Sequence, residues 1–182
     1  MTPYDFMVRP VLQSPAKPYT TARIYLHWIS ALVILWATLS GFGVTLLPGN
    51  HPVRQWVESV NPQITSLFIP LFAWRLWLYL STSSEPAAGT RDLQKSIAKL
   101  AHTLIYLSVS GVLLTGVMMM NHPVLLLGIM PLPQLLHSLP ALAEVQQLHH
   151  LLCTLLAALV ALHLAAVLQH QLRGRSVLRR ML

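Results

Sequence analysis

The sequence predicts an all-α membrane protein, a four-helix transmembrane bundle, and three observations predict it. Of the 182 residues, 54% are apolar and only 9% are charged. A soluble domain carries about 25% charged residues, so most of this surface is expected not to face water. The apolar residues fall into four runs long enough to cross a ~30 Å hydrocarbon layer, which takes roughly 20 helical residues. The basic residues lie in short flanks between those runs, where membrane topology puts them.

The first run covers about residues 24–47 and ends at Pro48-Gly49-Asn50, a strong helix breaker. The second covers about 62–80; Pro62 suits a helix start, and Pro70 is expected to kink the middle. The third covers about 97–120 and stops at Asn121-His122-Pro123, and the fourth covers about 145–172. The link after the second run is rich in Ser and Pro. The link before the fourth is apolar, Val124-Leu125-Leu126-Leu127-Gly128-Ile129-Met130-Pro131, and is read as lying at the membrane interface. Residues 1–22 contain Asp5, Arg9 and Lys17 with no long apolar core, unlike a cleavable signal peptide. They are read as a cytoplasmic segment, and residues 23–180 as the bundle domain.

Orientation follows from Lys and Arg. Arg9, Lys17 and Arg23 precede the first run. Arg75, Arg91, Lys95 and Lys99 flank the second link, and Arg173, Arg175, Arg179 and Arg180 follow the fourth run. The other two loops hold only Arg54. The basic side is expected to be cytoplasmic, with both termini on it. Trp74, Trp77 and Tyr79 are read as interfacial anchors, and Arg75 beside them as a snorkelling cation. The net charge of +7 is thus accounted for by topology, and nucleic acid is not an expected partner; membrane lipid is. A single cysteine, Cys153, excludes a disulfide within the chain.

Ionisable or polar side chains inside a membrane helix are costly and usually functional. Among nine histidines, His27, His102, His149 and His163 lie within or at the ends of the runs. His149 and His163 are 14 residues apart, just under four helical turns, so they share a face and are separated by ~21 Å along the axis. One helix thereby offers an imidazole to each of two stacked sites. Haem b iron takes an axial imidazole from each side, so each site needs a second histidine from another helix. His27 matches His163 in depth. The competing reading is that such histidines are helix–helix hydrogen-bonding residues.

At this point the chain resembles the bacterial cytochrome b561 family, within the dihaem four-helix b-type cytochromes that include the membrane subunits of nickel–iron hydrogenases and formate dehydrogenases. The residues that carry the resemblance are Arg23-Ile-Tyr-Leu-His27-Trp28, His102-Thr-Leu-Ile-Tyr106 and Leu127-Gly128-Ile-Met-Pro131. To these are added the spacing of His149, His163 and His170 and the basic tail Leu178-Arg179-Arg180-Met181. The resemblance implies an inner haem between His27 and His163, with His102 and His170 near its propionates or a quinone site. It implies an outer haem on His149 and a helix-two ligand placed 14 residues before an arginine. Counting back from Arg75, that position holds Asn61, which is not a normal axial ligand. Three outcomes stand: one haem only, a five-coordinate outer haem on His149, or replacement by His51, His122, His137 or His150.

The function implied is haem b-dependent electron transport in the bacterial inner membrane, in exchange with the quinone pool. One type of member oxidises superoxide with ubiquinone as acceptor, which would make the chain an enzyme rather than a carrier. The alternatives are a cytochrome or anchor subunit docked to a redox partner protein, and a haem-poor relative that keeps only the fold.

Overall fold

The computed structural model describes residues 20–81, 93–120, 124–126 and 129–174. Four helices make up the body: α1 (Thr21–Val44), α2 (Pro52–Leu80), α3 (Leu93–Met118) and α4 (Leu139–Leu172). Between α3 and α4 two short strands, β1 (Val124–Leu126) and β2 (Met130–Leu132), pair antiparallel with Leu125 opposite Pro131. The apolar link is thus a small hairpin, and β1 rests against α2. The fold class is the all-α bundle expected.

Helix α2 starts at Pro52 rather than at Pro62. The added turns carry Arg54, Gln55, Glu58, Ser59 and Asn61, so hydropathy does not register them. Local chemistry builds them instead. His51 caps the helix through Nδ1, which accepts the Val53 N–H at 3.2 Å, and Pro52 supplies a preset φ at the first turn. Arg54 bridges to Glu58 one turn on at 2.8 Å and donates to the Leu47 carbonyl at 3.1 Å. Pro62 and Pro70 then fall inside a continuous helix.

Three helical segments, Thr21–Val44, Ser96–Met118 and Leu139–Leu172, are long and apolar enough to cross a membrane. Helix α2 has 29 residues, about 44 Å at 1.5 Å per residue, which exceeds the ~30 Å hydrocarbon layer. It falls short of that composition because it also carries Arg54, Gln55, Glu58, Ser59, Asn61, Gln63 and Arg75. We read it as the fourth span.

The helices pack as two hairpins. Helix α1 lies along α2 and α3 along α4, α2 and α3 join the pairs, and α1 and α4 make no extended contact among the described residues. The core where the hairpins meet is Phe68 and Phe72 of α2, Val109 of α3 and Leu156 of α4, flanked by Val33, Ile34, Ile105, Tyr106, Val112 and Val160. Lipid tails are as apolar as leucine, so close van der Waals packing of small residues drives association within a bilayer. Ser30, Ser108 and Thr115 are buried, and Ser30 and Thr115 return their hydroxyl protons to backbone carbonyls at 2.6 and 2.7 Å. The closest approach is at Gly111, where an added Cβ would lie 2.9 Å from Leu152 Cδ1.

Gly111→Val therefore presses on the Leu152 side chain between α3 and α4. It should lower stability in detergent by about 1–3 kcal/mol, read by thermal or SDS unfolding. Gly41→Ala, where an added Cβ meets nothing within 4 Å, should leave stability unchanged or slightly raised.

Candidate cofactor site

Each helix sends one basic side chain towards the same end of the bundle. His27 comes from near the start of α1, Arg75 from near the end of α2, His102 from the first half of α3 and His163 from the last third of α4. The Arg75 guanidinium lies 3.0 Å from His27 Nδ1 and 5.3 Å above the Tyr106 ring. Tyr106 stacks on Tyr79 at 4.4 Å, and the Tyr79 hydroxyl shares a hydrogen bond with Thr103 at 2.8 Å. The His102 and His163 rings meet edge to face at 5.3 Å. His27 lies within electrostatic range of both His163 and His102, and Trp28 abuts it edge-on at 5.8 Å.

Arg75 does not snorkel to the interface. It turns into the bundle because it shares one face of α2 with Phe68, Phe72 and Tyr79, spaced three and four residues apart. That periodicity was the available signal, and the neighbouring tryptophans masked it.

No carboxylate contacts this cluster among the described residues. Several basic groups in a low-dielectric setting, with no acidic side chain against them, suit an anionic group. The donor set fits haem b: two imidazoles on α1 and α4, the helices that do not pack on each other, and a cation for a propionate. Among the described residues no group of three or more His, Cys, Asp or Glu side chains is placed to hold a bare metal ion. A haem iron asks the protein for two ligands only.

His170 is in the last turn of α4, two turns beyond His163 on the same face, and makes no contact with the cluster among the described residues. His122 lies outside the described residues. His51 is used as the α2 cap.

The other end of the bundle is arranged differently. The Trp36 indole N–H donates to Asn61 Oδ1 at 2.9 Å, and the Ser40 hydroxyl lies 3.2 Å from the same oxygen. His149 turns towards α3, with Cε1 near Gly116. Thr115 gives its one proton to the Gly111 carbonyl, so its oxygen receives the His149 Nδ1–H at 2.9 Å. Nε2 is then the acceptor, and it faces the Cys153 thiol at 3.5 Å. His149 thus has the tautomer and orientation of a metal ligand whose far nitrogen is held by a second partner. Asn61 has no nitrogen or sulfur lone pair to oppose it, and its oxygen is already shared by α1. This donor set does not fit a bis-imidazole haem. The sequence singled out Asn61 and His149 but did not indicate Trp36, Ser40, Thr115 or Cys153 as their partners.

The Asn61–Trp36 bond should show coupling. A double-mutant cycle of Asn61→Ala and Trp36→Phe, read by unfolding in detergent, should return roughly 0.6 kcal/mol, the average for side-chain hydrogen bonds within membrane bundles. A coupling energy of zero would remove this bond as a reason for Asn61.

No curated relative matches the chain. A family model described as prokaryotic cytochrome b561 matches residues 19–182, which takes in all four helices and both histidine sites. The chain belongs to the prokaryotic cytochrome b561 family.

Proposed function

We propose that the chain carries one haem b, held at the inner end of the bundle by His27 and His163, and moves electrons between that haem and the quinone pool. The observation that carries the proposal is the convergence of His27, Arg75, His102 and His163, one side chain from each helix, with no carboxylate against them among the described residues. Bound there, a haem saturated by two imidazoles supplies one-electron chemistry without an open iron face. The chain's own residues do the rest. His27 and His163 come from separate hairpins and hold the macrocycle between them. Arg75 offers a cation to a propionate, and Tyr106 and Tyr79 wall the site on the α2–α3 side.

The proposed setting is the bacterial inner membrane, with residues 1–22 and the C-terminus cytoplasmic and residues 23–180 forming the membrane domain. The basic flanks support this orientation. The haem then lies near the cytoplasmic face. At the other level His149 turns to Thr115 and Cys153 and Asn61 to Trp36, so no second haem completes a relay over the ~20 Å between the two levels. Electron entry and exit on the inner side, from a membrane quinone or a redox partner protein, follows from that asymmetry. Superoxide oxidation at the outer face is less well supported. The lone basic residue of the outer loops, Arg54, is bound to Glu58 and the Leu47 carbonyl, leaving little positive field to draw an anion.

The purified protein should show a reduced b-type α-band and one haem per chain by pyridine haemochrome. His27→Ala and His163→Ala should each abolish the low-spin ferric signal; if both variants retained it, the ligand assignment would be wrong. Asn61→His should raise haem content above one per chain, because it restores an imidazole opposite His149. Two haems in the unaltered protein would overturn the single-site proposal.

A further inference from the structure

His163 differs from His149, the other α4 histidine oriented as a ligand. His149 gives its Nδ1–H to Thr115, whereas Arg75, a donor only, points an N–H at His27 Nδ1. Metal-ligating histidines almost always have the second ring nitrogen held by a carbonyl, carboxylate or other partner, which fixes the ring plane. The His163 ring makes no hydrogen bond to another described residue. Its aromatic neighbour is His102, edge to face with centroids 5.3 Å apart and planes at 65°. The two residues sit on α3 and α4, which pack against each other along their length, so their separation is set by the hairpin and not by α1.

We propose that His102 is a positioning residue for His163. Its ring edge fixes the plane of the His163 imidazole, in place of the hydrogen bond that axial histidines usually have. This rests on the assignment of His163 as an axial ligand. It gives His102 a different task from contact with a propionate or a quinone, since what matters is an aromatic edge and not a polar group. The plane of an axial imidazole sets how the iron d orbitals split, so the g values of low-spin ferric haem report it directly.

The test uses the purified haem-loaded protein with His102→Phe and His102→Gln, two side chains of similar size to His. Phe keeps the ring edge and loses the polarity; Gln keeps polarity and loses the ring. The readouts are haem per chain, the ferric EPR g values and the midpoint potential. Phe should retain the g values and potential of the unaltered protein. Gln should keep the haem but broaden and shift the g values and move the potential. Gln matching the unaltered protein while Phe departs would overturn the proposal in favour of a polar role. Both variants changing alike, or neither changing, would overturn it as well. His163→Ala is measured in parallel: retention of the low-spin signal there would mean that the ligand assignment has failed, whatever the His102 variants show.

Discussion

A bilayer interior has no water to satisfy a polar group, and that constraint shapes every internal contact of this bundle. The guanidinium of Arg75 is the costliest group to place, and its approach to His27 at 3.0 Å ties α2 to α1 at the basic end. The same pressure acts at the far end, where Asn61, Trp36 and Ser40 close a second α1–α2 link. It also explains the buried hydroxyls of α1 and α3, which bond back to their own helices. Single hydroxyls such as Ser108 lie in between, but the histidines, Arg75 and Asn61 are not spread along the span. They gather at two levels with an apolar core of Phe68, Phe72, Val109 and Leu156 between them.

The two levels have opposite character. At the basic end, the groups are cationic or neutral and lack an acidic complement among the described residues, an arrangement suited to an anionic cofactor. At the other, donors and acceptors are matched among side chains. Thr115, His149 and Cys153 form one chain of donors and acceptors, and the Asn61 carbonyl oxygen is already engaged from α1. Asn61 at this level belongs to a local network that satisfies itself.

Much of this was legible in the sequence. Apolar run length is sufficient for the four helices, though not for the first turns of α2 and α4, and the 14-residue spacing of His149 and His163 puts them on one face. His27, His102 and His163 do converge. What was not legible has physical causes. The first turns of α2 are polar and are built by the His51 cap and the Arg54–Glu58 bridge, which hydropathy cannot register. Arg75 looked like a snorkelling residue because Trp74 and Trp77 flank it, although its spacing from Phe72 and Phe68 placed it inside. The pairing of Asn61 with Trp36 and Ser40 joins residues 25 and 21 positions apart on different helices, and helical periodicity indicates a face but not a partner.

The division into two hairpins gives the site at the basic end a further meaning. His27 belongs to the α1–α2 pair and His163 to the α3–α4 pair, and α1 and α4 scarcely meet. A group held by one imidazole from each is a cross-brace between two halves otherwise joined through α2 and α3. Binding free energy that accrues only in the assembled state adds directly to its stability. The cellular abundance of this chain would then follow the supply of cofactor, since a copy that never acquires it keeps two halves that can part and expose polar faces to quality-control proteases.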